Sequence, residues 1–459
     1  MLSLLPFVSR RPYTAALTLA LCVALGGYAG KTSADGDICL STWCTTLGQY
    51  TAGNADPATR NPLPPTAPPV VQTAPPRPAS FQPAPAPAQD NATAWIKTLG
   101  AGNPAPGATG TDNAANAAGD SGHAASPAQN AQNDKAAFIN EMVTHYNFDR
   151  AQLNVLFAYA KYSAAAIRLV SPSSKSGSVP ERNWHAQEAR FVDSVRINAG
   201  AQFWRENHAV LQRAYHEMGV PPEIIAGIIG TETIYGRDMG KFPVLDVLTT
   251  LAFNYPDTPN RAERMAMFRK DLQDYLLWTR YEHIDPTTVL GSYTGAIGIP
   301  QFMPSNILQY AVDYQGTQHI DLRTNMTDAI GSVANYLKAL GWEPGRPVVW
   351  RIASDPRSQN VASANATGQA DLHLTLGQLV HAGLTLAEPD VNVAAAANTP
   401  VTIIDLPTPG RPTQYLLGLK NFYVLTRYNR SFFYAMSVYE LGQRIKAQVL
   451  ATTPNEAIN

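Results

Sequence analysis

The stretch PPEIIAGIIGTETIYGRDMG, Pro221 to Gly240, sets one carboxylate on the apolar side of a short helix. Pro221 and Pro222 suit a first helical turn, where a missing N–H forfeits no intrahelical bond. Ile224, Ile228 and Glu232 follow at steps of four, flanked by Ile225 and Ile229, so Glu232 continues the buried stripe. Burial disfavours the charged form and lifts a glutamate towards neutrality, which suits a general acid. The competing reading is a helix-end glutamate that points to water or pairs with Arg237.

A second segment, GSYTGAIGIPQFMPS from Gly291 to Ser305, reads as a loop with glycines at 291, 295 and 298 that runs into a helix start at Pro304 and Ser305. Glycine lets backbone approach a ligand closely. Tyr293 and Phe302 offer flat apolar surfaces, and Ser292 and Gln301 offer hydrogen bonds, a mixture suited to a sugar. A plain turn is the alternative.

The 459 residues allow two or three domains, and 45% hydrophobic content leaves ample material for a core. A formal net charge of −1 gives no global attraction to nucleic acid or anionic lipid. Arg10 and Arg11 precede an apolar run from Ala15 to Ala29 with small residues at its end, which reads as a signal peptide over residues 1–34. Twelve prolines between Pro57 and Pro87, then Ala, Asn and Gly up to Gln132, cannot bury enough apolar area to offset ordering entropy. Residues 35–133 are therefore expected to be a disordered linker, with the folded region at 134–459. Cys39 and Cys44 stand near enough in sequence to close a small loop in an oxidising compartment, or to remain two free thiols.

The folded region reads as mainly helical. Helical spacing predicts Phe138–Tyr162 with a break at Asn147, then Gly200–Met218, Pro221–Tyr235, Asn260–Tyr281, Asn306–Tyr314, Met326–Leu340 and Tyr434–Val449. Val348 to Tyr415 reads as short strands and loops, with Thr375–Leu384 a helical exception.

GIIGTETIYGRDMGK (Gly227–Lys241), LAFNYP (Leu251–Pro256), the Gly291–Ser305 loop, DAIGSVANYLKALGW (Asp328–Trp342) and NFYVLTRYNRS (Asn421–Ser431) together resemble the lytic murein transglycosylase B family. The blocks recur in family order from about Phe138 to the C-terminus, and the first third of the chain lies outside the resemblance. It implies a mainly α (α+β) fold: a lysozyme-like catalytic core, an accessory helical domain and a small strand-containing segment. The implied reaction cleaves the β-1,4 bond between N-acetylmuramic acid and N-acetylglucosamine in peptidoglycan with a single glutamate, leaving 1,6-anhydromuramic acid ends. Ordinary glycoside hydrolysis uses two carboxylates.

Carried over residue by residue, Glu232 matches the family's acid, Ser292 and Gln301 match residues that contact the sugar, and Tyr336, Tyr428, Asn429 and Tyr434 match residues lining the same cleft. Each of the latter could equally be a core side chain with its polar group satisfied. Arg261 is a candidate for the acidic lactyl or peptide carboxylates, its alternative being an exposed arginine at a helix start. Two departures stand on one flank: Met267 falls where a cleft tyrosine is expected, and so does Gln187.

Many family members are lipoproteins, yet Cys22 follows Leu21 inside the apolar run, so a lipid anchor is not expected and the location implied is the periplasm. The family also carries an EF-hand-like loop after the QFMPS helix. Here Asp313 and Asp328 keep the end ligands, with His319 offering a backbone carbonyl, while Gln315, Thr317 and Gln318 degrade the middle. No metal and no cofactor is expected. The implied partner is the peptidoglycan glycan strand, with cell-wall synthesis or divisome proteins as further candidates, no nucleic acid, and a monomeric state. A hydrolytic muramidase and a non-catalytic wall-binding protein remain the alternatives. The latter gains nothing from desolvating a carboxylate.

Overall fold

The computed structural model describes residues 127–171 and 181–452. The signal, Cys22, Cys39, Cys44 and nearly all of the expected linker lie outside the described residues. Helices α1 (Pro127–Tyr146), α2 (Arg150–Tyr159), α3 (Ala164–Val170), α4 (Trp184–Phe191), α5 (Ser194–Glu206) and α6 (His208–Met218) lead to α7 (Pro222–Thr233). Strand β1 (Phe242–Pro243), α8 (Val244–Asn254), α9 (Arg261–Tyr281), β2 (Leu290–Gly291), α10 (Pro304–Tyr310) and α11 (Met326–Ala339) follow. The chain closes with β3 (Val349–Arg351), α12 (Pro356–Asn365), β4 (Leu374–Thr375), α13 (Leu376–Ala382), β5 (Pro400–Thr408), β6 (Arg411–Gly418), α14 (Lys420–Tyr428) and α15 (Phe432–Thr452).

Helix α7 is buried on nearly every side, which is the pattern of a helix enclosed by others. Helix α15 lies along it, and α5 packs on both. Two glycines set the α7–α15 distance: a Cβ at Gly227 would stand 2.3 Å from the Val438 carbonyl oxygen, and one at Gly442 would stand 2.3 Å from that of Glu223. Around this pair the main core gathers Ile224, Ile228, Leu441 and Ile445 with Leu248, Leu272, Ile330 and Phe422.

The strand-containing segment forms an antiparallel sheet of order β3-β6-β5-β4. Successive residues of a strand point to opposite faces. Accordingly, Ile404 and Leu406 of β5 join the main core while Val401 and Ile403 join a second, smaller core with Leu376, Leu379 and Leu417. Helix α12, within a stretch expected to be strands and loops, also belongs to that smaller core through Ala362.

Several sequence expectations need correction. Helix α1 begins at Pro127, ahead of the expected start at Asp134. The single helix expected over Gly200–Met218 is two: the backbone leaves helical geometry at Asn207, φ −113, whose side-chain amide donates to the Phe203 carbonyl. Helix α10 stops at Tyr310 instead of Tyr314, since Ser332 and Asp328 of α11 take the N–H groups of Val312 and Tyr314. Helices α3, α4, α8 and α14 lie outside the expected ones. Helix α8 is buried at every residue but Asp246 and Asn254, so it lacks the polar face whose spacing marks an amphipathic helix.

Helix α10 is fastened to α9 by a buried carboxyl. Asp271 accepts from the Ser305 hydroxyl at 2.7 Å and from the Ser305 N–H at 3.3 Å. Burial pushes Asp271 up to about 7, against the pull of the Ser305 bonds. A carboxyl raised on folding contributes stability that is complete below its unfolded pKa and is lost as pH rises through the folded value. Asp271→Asn keeps the acceptor for Ser305 and removes this titration. The melting temperature of the variant relative to the parent is therefore expected to rise steadily from about pH 4 to about pH 8; a pH-independent difference in thermal unfolding scans would contradict it.

Candidate active site

Glu232 is the penultimate residue of α7, half-buried, where the helix ends against the Gly-rich loop. Its Oε1 accepts from the Tyr434 hydroxyl at 2.5 Å. Burial and the neighbouring Glu232 carboxylate hold the Tyr434 proton well above the usual phenol range, so the phenol is a donor at all working pH values. Beyond it the rings form a row. Tyr434 stacks on Tyr428 with centroids 6.3 Å apart, Tyr428 meets Tyr336 edge-on at 5.0 Å, and Tyr336 meets Tyr310 edge-on at 4.9 Å.

The loop is tied to this row and to α7. The Thr233 hydroxyl, next to Glu232, donates to the Ile299 carbonyl at 2.8 Å, and the Tyr428 hydroxyl donates to the adjacent Pro300 carbonyl at 2.5 Å. Gln301, with φ 51, donates through Nε2 to the Met239 and Gly298 carbonyls. Ser292 accepts N–H bonds from Thr294 and Ala296 and shares a hydrogen bond with the Thr294 hydroxyl at 3.0 Å. The loop is thus rigid and mostly buried, with Tyr293 half-exposed and packed edge-on against Phe242.

The residues expected at a cleft fall into two groups. Glu232, Tyr434, Tyr428, Asn429 and Tyr336 come together with the loop that carries Ser292 and Gln301. Within that group the Tyr336 hydroxyl donates to the Arg427 carbonyl at 2.7 Å, so Tyr336 and Tyr428 both use their hydroxyls on main chain and serve as walls. Asn429 is buried, and its Oδ1 accepts from the Ser431 N–H at the start of α15. Arg261 stands apart: it opens α9, half-buried, with Nε on the Tyr255 carbonyl at 2.9 Å. Gln187 lies half-buried on α4, and Met267 on α9 packs against the core. Sequence reasoning missed Thr233, whose position beside Glu232 and before the left-handed Ile234 gave only a faint signal in TETIYG.

The loop at 313–328 is held by its own amides. Asp313 accepts from the N–H groups of Gly316, Thr317 and Gln318, Asp321 from those of Arg323 and Thr324, and Asp328 from those of Tyr314, Gln315 and Asp321. Gln318 keeps the left-handed turn, φ 70, without a glycine. Among the described residues no three His, Cys, Asp or Glu side chains form a group that could hold a metal ion.

Residues 130–443 match the family described as Transglycosylase SLT domain. The chain is 40% identical to the membrane-bound lytic murein transglycosylase B of Escherichia coli (strain K12) over 313 residues, 67% of this chain and 81% of that protein. The chain belongs to the lytic murein transglycosylase family. Among solved structures, the soluble lytic transglycosylase SltB1 from Pseudomonas aeruginosa is similar at 38% identity and a TM-score of 0.61, covering 68% of this chain and 98% of that one. An Escherichia coli lytic transglycosylase solved in complex with calcium is similar at 38% identity and a TM-score of 0.60, covering 69% and 94%. The fold is the mostly helical, lysozyme-like one of these lytic transglycosylases. This lytic transglycosylase is an enzyme that cleaves the glycan strand of peptidoglycan.

Tyr434→Phe keeps the ring row and removes the donor to Glu232. A hydrogen bond to a charged group is worth roughly 1.5–3 kcal/mol, so the expected loss in turnover is about tenfold or more, with the melting temperature little changed. Steady-state assays on soluble glycan chains, beside thermal scans, check this; unchanged turnover would show that the bond does not steer the acid.

Proposed function

We propose that Glu232 acts as both general acid and general base in a non-hydrolytic cleavage. Protonated Glu232 gives its proton to the bridging oxygen as the bond from C1 of N-acetylmuramic acid to that oxygen breaks. The carbonyl oxygen of the substrate's own N-acetyl group bonds to C1 in place of the leaving sugar. The C6 hydroxyl then attacks C1, the N-acetyl oxygen departs, and the Glu232 carboxylate takes the hydroxyl proton, which restores the acid. The product is a 1,6-anhydro ring and no water is consumed.

The observation that carries this reading is the placement of Glu232 at the end of the buried α7, hydrogen-bonded by Tyr434, in a chain of this family. Tyr434 stabilises the carboxylate that forms after the first proton transfer, while Tyr428 and Tyr336 wall the cleft. Ser292 and Gln301 fix the loop whose main chain faces the sugar, with Asn429 contributing from the same wall. Arg261 is the candidate cation for lactyl or peptide carboxylates. Residues 1–34 are read as an export signal that delivers a monomer to the periplasm, residues 35–133 as a linker, and cell-wall synthesis proteins as candidate partners.

Glu232→Gln is expected to lower turnover by ~10²-fold to 10⁴-fold or more and to leave folding and wall binding intact. In labelled water, the wild-type products are expected to be lighter by one water than hydrolysis products and free of heavy oxygen by mass spectrometry. Labelled reducing ends would place the chain with the hydrolytic muramidases.

The residues of the 313–328 loop fit a calcium site poorly, because Gln315, Thr317 and Gln318 stand at the middle positions and leave few carboxylates to reach an ion. Chelator treatment is expected to leave activity intact, and added calcium to leave the melting temperature unchanged. A stoichiometric site tighter than ~10 µM in calorimetry, with the stabilisation such binding brings, would overturn this.

A further inference from the structure

Two residues after the proposed acid, the chain enters a conformation that its sequence resists. Ile234, Tyr235 and Gly236 follow Thr233 with φ of 50, 59 and 84. Only the glycine adopts this region freely; a β-branched isoleucine there is strained, and such strain persists where the surroundings over-determine it. Helix α7 ends through two bonds made in this turn, Ile234 N–H to the Gly230 carbonyl at 3.2 Å and Tyr235 N–H to the Ile229 carbonyl at 3.4 Å.

The side chain of Tyr235 supplies the constraint. The turn folds its ring back onto the helix it has just left, where it stacks on Phe203 of α5 at 4.9 Å. Its hydroxyl enters a slot that two glycines leave open: a Cβ at Gly230 would stand 2.3 Å from the Tyr235 oxygen, and a Cβ at Gly200 would stand 2.4 Å from it. Leu441 and Ile445 of α15 close the slot. The oxygen is buried and has no hydrogen-bond partner among the described residues, so the group is seated by shape and not by polar bonding. Thr233 completes the fixture, donating to the Ile299 carbonyl and accepting from the Gly236 N–H at 2.9 Å.

We propose that Tyr235 is a positioning residue for catalysis: lodged between Gly200 and Gly230, it locks the left-handed turn that ends α7 and thereby holds Glu232 against Tyr434. The proposal rests on the reading of Glu232 as the acid. Without the wedge the last turn of α7 frays, and Glu232 loses its fixed direction while the sugar-facing loop keeps its remaining ties to Tyr428 and Met239. The signature is a fall in kcat with KM retained, since a displacement of a reacting group by an ångström costs on the order of 10²-fold in rate.

The test uses the full chain and soluble glycan strands, with kcat, KM and thermal unfolding measured for Tyr235→Ala, Tyr235→Phe, Gly230→Ala and the double variant G230A/Y235A. Y235A is expected to lose about 10²-fold in kcat with KM changed by less than about threefold, and Y235F to recover most of that loss. Phenylalanine fills the same slot without an unpartnered hydroxyl, so Y235F is also expected to melt no lower than the parent. Gly230→Ala is expected to lower kcat although alanine is the better helix former, and to add little further loss in the Y235A background, because both act through one contact. Parental kcat in Y235A, failure of Y235F to recover the loss, or additive losses in the double variant would each overturn the proposal. If Y235A does not fold, parental kcat in G230A overturns it. Should E232Q itself retain activity, the reading of the acid fails instead, a result distinct from any of these.

Discussion

Two hydrogen bonds to adjacent carbonyls hold the whole site in register. Thr233 donates to Ile299 from the end of α7, and Tyr428 donates to Pro300 from the end of α14. Between them the Gly298–Gln301 turn is pinned by elements that lie far apart in sequence. Each hydroxyl is buried, so each would leave an unpaired group in a dry environment if the turn moved. That penalty makes the loop a fixed wall and gives Glu232 a defined neighbour. The bonds cross from the buried α7 to the tyrosine row, with Glu232, Tyr434, Tyr336 and Gln301 close by and Arg261 apart.

The sequence made the centre of this arrangement legible because its signals are local. The PPEIIAGIIG run announces a buried helix by its fourfold spacing, and the Pro-Pro start fixes its beginning. The glycines of the 291–305 loop likewise mark close backbone approach, at Gly298 against the Leu322 carbonyl. What stayed hidden depends on contacts across the chain. Helix α8 has no side-chain N-cap and almost no polar face, so its sequence carries no amphipathic spacing to announce it. Tyr434 shows in sequence as one more aromatic near a helix start, and only tertiary packing turns its hydroxyl towards Glu232. Thr233 and Tyr235 were overlooked because their significance lies in a left-handed turn that no residue-type rule predicts for isoleucine and tyrosine.

The β sheet contributes by a different route. Its β5 strand divides its side chains between two cores, so the smaller core is not an appendage but shares a wall with the main one. Arg182 reinforces that wall. It pairs with Asp405 of β5 at 2.5 Å and lies 5.0 Å above the Phe433 ring, one residue before Tyr434. The position of the tyrosine that touches Glu232 is therefore supported from the sheet side as well as from α15.

The 313–328 loop has a consequence for how the enzyme answers its surroundings. A loop closed by a cation follows the supply of that ion. Here the carboxylates of Asp313, Asp321 and Asp328 receive main-chain N–H groups, so the closure of the loop titrates with protons. Burial works against Asp313 and Asp321, yet their N–H partners and, for Asp321, the Thr324 hydroxyl hold both below the usual carboxylate range. Groups lowered in this way give stability that is complete above the unfolded pKa and lost as pH falls through the folded one. In any medium that is not strongly acidic, Asp313 and Asp321 therefore keep their N–H partners and hold the segment closed.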